Sequence, residues 1–323
     1  MKVRSLVISL AALNVIAIAV LVGLLRYWMP VLGTVLAPPP PTKPVQETFL
    51  FAVYGEGNHP LRNPMGVAVS RNGYVYVADS DNHQVQVFYP NGRFAFTFGR
   101  PGAREGEFAY PVGIGISNNG RVYVSEINNR RIQVFSLRGK YLGAFPRDKS
   151  KLLAPSALTV SRWGQVYVVD RADMSVKVFN ERGEFLQQIG GRGSGDGQLT
   201  FPMGLTVDER NKVWVSDSSN LRLQVFSPEG KFLFKIQGPS GENSSFGIPR
   251  GIVSDLRGRV FVADIMGNYV AQFNSEGLPL RVFGQMGEQN EQFYFPDGLA
   301  YFNGRLYVAD KGNNRVVVYQ VAR

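Results

Sequence analysis

From residue 48 onward the chain is built of short apolar, β-branched and aromatic runs, separated by Gly, Asn, Asp and Ser. The runs come in sets. Six segments starting at Pro64, Pro111, Pro155, Pro202, Pro249 and Pro296 align with one another, the prolines 47, 44, 47, 47 and 47 residues apart. Each segment holds three runs, as in Pro64-MGVAVSRNGYVYVADSDNHQVQVF, and a fourth follows, as in Gly92-RFAFTFG and Gly230-KFLFKIQG. The runs are nearly continuous in hydrophobicity rather than alternating, so the strands they form are buried on both faces.

Four short strands in a period of about 45 residues is the arithmetic of one propeller blade. The fold class predicted is all-β, a six-bladed β-propeller with four antiparallel strands per blade. The sixth unit stops after its third run, near Val321. A run resembling the missing fourth strand, Thr48-FLFAVYG, stands ahead of the first unit. The N-terminal strand is therefore predicted to close the last blade, hiding an edge that would otherwise be open.

The pattern P-x-G-φ-A-V … G-x-V-Y-V-A-D-x-x-N-x-R-φ-Q-V-F resembles the NHL repeat. It is clearest at Asp79-SDNHQVQVF and Asp310-KGNNRVVVY, and the match covers residues 48–321. Blade 3 departs most, with Ala157 in place of the Gly and Asp173-Met174-Ser175 in place of Asn-x-Arg. The resemblance implies the propeller and a tendency to bind. NHL propellers serve protein and RNA binding and a few enzymes, so function does not follow from the fold.

Ahead of the repeats, Leu6–Leu25 is a run of 20 residues without a charge. As a helix it spans about 30 Å, one bilayer core. Lys2 and Arg4 precede it, and Arg26, Tyr27 and Trp28 follow. The reading is a single-pass anchor with a cytoplasmic N-terminus and an extracytoplasmic propeller. A cleaved signal peptide is the competing reading. Residues 38–44, PPPPTKP, belong to an extended stalk. The domains predicted are 1–28 anchor, 29–46 stalk and 47–323 propeller.

Cysteine is absent, so disulfides, thiolate metal sites and Cys nucleophiles are excluded. The net charge is +10, and without the anchor region's Lys2, Arg4, Arg26 and Lys43 it is +6. That excess favours acidic partners. The histidines number two, His59 and His83, too few for a zinc site of three protein ligands. No cofactor or metal is expected. Nucleic acid is disfavoured for a domain carried across a membrane, and nothing signals a homo-oligomer.

An acidic residue ends the second strand of every blade: Asp79, Glu126, Asp170, Asp217, Asp264 and Asp310. Such residues accept backbone N–H bonds in the following turn. In blades 2, 4 and 6 an Arg five residues on (Arg131, Arg222, Arg315) is placed to pair with them. The residue after each starting proline should point to the channel mouth: Met65, Val112, Ser156, Met203, Arg250 and Asp297. Arg250 and Asp297, from adjacent blades, are expected to pair there and to orient a ligand.

On the same upper face, Arg100, Arg104, Arg130, Arg131, Arg147, Lys149, Arg171 and Arg192 form a candidate basic surface. Glu242, Glu288 and Glu291 lie on the other half. Function concentrates on loops over a rigid scaffold. The functional expectation is a membrane-tethered binding, scaffold or sensor propeller that recognises a protein, peptide or glycan through this loop face. The alternative is a lactonase-like hydrolase or lyase acting on a small molecule at the channel mouth.

Overall fold

The computed structural model describes residues 47–57, 59–239, 244–255 and 257–321. The expected anchor, the stalk and Glu242 lie outside the described residues. Among the described residues no helix is long and apolar enough to cross a membrane.

Six antiparallel four-stranded sheets follow one another along the chain. Blade 2 shows the unit: Pro111–Ile116, Arg121–Glu126, Arg131–Ser136 and Tyr141–Phe145, running from the axis outward. Second and third strands are almost wholly buried, which explains their unbroken apolar runs; Val213–Asp217 and Arg222–Phe226 are buried at every position. Fourth strands alternate, as in Phe232–Ile236, because one face meets water. A two-residue pairing of Gly55–Glu56 with His59–Pro60 precedes blade 1.

The core is divided among the seams. Each of the six apolar clusters joins two neighbouring blades, and Val67, Phe88, Val316 and Val318 tie blade 6 to blade 1. In the seam between blades 1 and 2, Phe98 lies 5.0 Å from Phe135, ring to ring. Each such side chain, fully buried, contributes about 1.5–3 kcal/mol.

The ring closes as predicted. Thr48–Val53 pairs antiparallel with Arg315–Gln320 and becomes the fourth strand of the last blade. Glu47, buried at the start of that strand, forms a salt bridge with Arg281 on the outer strand of blade 5.

Near the axis each first strand shifts register just after its proline; in blade 1, Pro64 faces Asp79 and the next paired residue is Val67 facing Val77. Proline has no N–H for the ladder, and the irregularity pushes the two following residues inward. Crowding there is severe. A Cβ on Gly204 would sit 1.9 Å from the Arg250 carbonyl oxygen, and one on Gly251 would sit 2.2 Å from that of Asp297.

Candidate functional site

The upper face is made of the turns between second and third strands and of the loops linking one blade to the next. These loops are stapled from below. In blade 2, Glu126 is fully buried and accepts from the Ala109 N–H at 2.8 Å, Asn129 at 2.6 Å and Arg131 Nε at 2.6 Å. Arg131 then donates to the carbonyls of Ala103, Arg104 and Glu107, and Gln133 Nε2 shares the last of these. Blades 4 and 6 repeat the arrangement with Asp217–Arg222 and Asp310–Arg315, both 2.7 Å.

The repeat signature Asp, Asn, Arg, Gln is thus a clamp on the preceding loop. The expectation that the acids serve the following turn needs correcting. Ala172 N–H in blade 3 and Met266 N–H in blade 5 come from that turn, but in every blade the acid also takes N–H bonds from the loop 16 or 17 residues upstream. That loop lies across the strand end, and its N–H groups have no ladder partner.

Neighbouring blades are also tied at the rim. Asn63, Tyr110, Phe201 and Phe295 precede the starting prolines in a left-handed conformation, with φ of 55°, 63°, 46° and 53°. Such φ values are costly for residues with a Cβ and persist only where the surroundings hold them. Each of their N–H groups donates to a side chain of the previous blade. The acceptors are Asn314 Oδ1 at 2.8 Å, His83 Nδ1 at 3.0 Å, Met174 Sδ at 3.2 Å and Asn268 Oδ1 at 2.9 Å. His83 therefore bridges blades 1 and 2. Sequence reasoning missed these ties, because the acceptors differ in chemistry and share only their place.

The channel on the axis has a volume of about 80 Å³ and is lined by Met65, Val112, Ser156, Met203, Arg250 and Asp297 as predicted. That space suits a few waters. Arg250 and Asp297 pair at 2.6 Å, both nearly buried. Asp297 is the one carboxylate among the lining residues. Among the described residues no cluster of three or more His, Asp or Glu side chains assembles. Tyr110 stands beside the mouth, its hydroxyl accepting from Asn63 at 2.8 Å. Burial, then the charge of Asp81, pushes its pKa up.

The expected basic surface is thinned. Arg131 belongs to the blade 2 clamp, its guanidinium committed to Glu126 and to loop carbonyls. Arg100 pairs with Glu107 at 3.0 Å, and Arg192 donates to the Ala172 carbonyl. Arg104, Arg130, Arg147 and Lys149 remain exposed, and Arg171 is half-buried toward the axis. Arg130 and Lys149 border a groove of about 330 Å³ between blades 2 and 3, with Tyr141, Phe145 and Leu153. Glu288 and Glu291 are exposed on the other half.

Blades 4 to 6 add an apolar element that charge counting overlooked. Phe201, Leu221, Met266, Met286 and Tyr294 are all exposed on the upper side, Met286 by 62%. Each lies in a turn or loop beside strands of the same composition, so the sequence offers no contrast to mark it.

Comparison with known proteins agrees with this architecture. The NHL repeat model matches residues 61–88, 108–135 and 293–319, and a 6-bladed beta-propeller model matches 146–213. The chain carries NHL repeats and is a six-bladed propeller. It is similar to Protein brain tumor of Drosophila melanogaster, 38% identical over 60 residues, 19% of this chain and 6% of that protein. It is also similar to E3 ubiquitin-protein ligase TRIM71 of Rattus norvegicus, 46% identical over 44 residues, 14% of this chain and 5% of that protein. The matched segments thus span a small fraction of those relatives. Among solved structures, a gluconolactonase from Xanthomonas campestris aligns at TM-score 0.62 and 15% identity, covering 87% of this chain and 99% of that one. Virginiamycin B lyase from Staphylococcus aureus aligns at TM-score 0.57 and 14% identity, covering 80% of each chain. At such identities the likeness is one of fold.

Proposed function

We propose that this protein is a membrane-tethered, extracytoplasmic binding platform. Leu6–Leu25 anchors it, and the upper face captures a protein, peptide or glycan with negative charge beside an apolar patch. The observation that carries the reading is that exposed cations gather on one half of this face, at Arg104, Arg130, Arg147 and Lys149, while most of its exposed apolar side chains gather on blades 4 to 6. The loops that carry Arg104, Phe201, Met286 and Tyr294 are clamped by buried ion pairs, so little ordering entropy is lost there on docking. Apolar and aromatic anchors supply affinity, and the cations supply register and rate of encounter.

The reading is tested by crosslinking and pull-down of the full-length protein from its own membrane. Reversing Arg104, Arg147 and Lys149 to Glu abolishes capture and leaves the melting temperature unchanged. Capture by the native protein weakens as salt rises. Capture that ignores both the reversal and the salt would falsify the basic-face mechanism. The alternative of a hydrolase or lyase at the mouth draws support from the shared fold with a lyase and a gluconolactonase, and from no metal-ligating cluster among the described residues.

A further inference from the structure

The channel mouth gathers more positive charge than its own residues neutralise. Arg250 has Asp297 as its partner at 2.6 Å. Arg171 occupies, in blade 3, the place that Ile127 holds in blade 2, and Ile127 lines the channel. Lys311 holds the same place in blade 6, three blades on and so across the ring. Among the described residues neither Arg171 nor Lys311 forms an ion pair.

Two donors at this mouth have no partner. Ser156 is 4% exposed and lines the channel, yet its hydroxyl makes no hydrogen bond; Arg171 Nε is also buried and unpartnered. Buried donors without acceptors are rare, and two of them at one mouth point to a guest that completes both. The surroundings add to the demand. Burial, then the charges of Arg250 and Arg130, pulls the Arg171 pKa below the ordinary guanidinium value. Around Ser156 the equivalent residues Met65, Val112 and Met203 do not compete for an acceptor. The narrow channel admits a head group and nothing bulky.

We propose that the upper mouth of the axial channel is an oxyanion site, where Arg171 Nε and the Ser156 hydroxyl donate to a carboxylate or phosphate oxygen and Lys311 supplies further positive charge beside the Arg250–Asp297 pair. The anion is either a free small molecule or an acidic side chain of the captured partner. Only the second source rests on the platform reading.

The test is calorimetric titration of the full-length protein in detergent with inorganic phosphate, with succinate and with an acetylated tri-glutamate peptide. At least one probe saturates at one per chain. Arg171→Leu and Ser156→Ala each weaken it about tenfold or more, the loss of one charge-assisted hydrogen bond, while circular dichroism melting stays as in the native protein. Should Arg171→Leu fail to fold, Lys311→Met reads the same site. Saturation by phosphate or succinate supports a free anion, and saturation by the peptide alone supports a partner-borne one. Binding that does not saturate, or that is unchanged in Arg171→Leu and Ser156→Ala, overturns the site. Anion binding that persists when Arg104, Arg147 and Lys149 are reversed, alongside lost capture, shows the two readings to be separate; lost anion binding with capture intact sinks this one alone.

Discussion

Replacing Arg315 by Met removes the centre of the blade 6 clamp. The side chain is 2% exposed. Its Nε meets Asp310 at 2.7 Å, and its two terminal nitrogens reach the carbonyls of Glu288, Gln289 and Gln292 at 2.8, 2.7 and 2.9 Å. Removing one partner of a buried ion pair costs about 3–5 kcal/mol, since the other charge is stranded. Asp310 keeps the Tyr294 N–H and Asn313, and the loop carbonyls lie near water, so the lower end, about 3 kcal/mol, applies. Against a usual total of about 5–15 kcal/mol this is a large fraction.

Urea unfolding followed by circular dichroism reads it as a midpoint lower by on the order of 1 M. Arg315→Gln costs roughly half as much, because in blade 1 Gln84 already donates to Asp79 at 3.0 Å from the same place. The exposed pair Arg210–Glu276 is the control: Arg210→Met changes stability by less than about 1 kcal/mol. If Arg315→Met and Arg210→Met unfold at the same urea concentration, the buried clamp is not what holds the loop.

Further outcomes follow from the rim and the axis. Gly204→Ala sets a methyl 1.9 Å from the Arg250 carbonyl oxygen and must part blades 4 and 5; it costs at least about 1–3 kcal/mol by thermal or urea denaturation, whereas Ala157→Gly in blade 3 costs less than about 1 kcal/mol. His83→Asn retains an acceptor for the Tyr110 N–H, as Asn268 and Asn314 do for theirs, and melts like the native protein, while His83→Leu loses about 1 kcal/mol. Equal melting of the Asn and Leu variants would show that the tie contributes nothing.

Much of this was legible from residues alone. Proline spacing fixed the blade count, and the short sixth unit with its spare strand at Thr48 foretold the closure. The three acid–Arg pairs and the Arg250–Asp297 pair were also readable, because in a repeat an equivalent position means an equivalent place. What escaped notice depends on backbone conformation. Nothing in the identity of Tyr110 or Phe201 marks a left-handed φ, so the ties through His83 and Met174 were invisible. Arg131 was counted in the basic surface as well as in the acid–Arg pair, because charge counting does not see that its terminal nitrogens are turned onto loop carbonyls. Gln133 and Gln224 looked like ordinary strand residues until each was found gripping a loop from both ends of its amide.

The clasp of the last blade also governs when folding can finish. Thr48–Val53 leaves the ribosome ahead of all six units, and the strand it needs, Arg315–Gln320, follows only after the five blades between them. At about 5–20 residues per second the wait is on the order of tens of seconds. Throughout it an apolar segment, FLFAV, stays without its mate, and five finished blades stand as an open arc. The nascent propeller is thus exposed to mispairing until Arg315–Gln320 is made, and a ribosome stalled just before that strand would leave a ring that cannot seal.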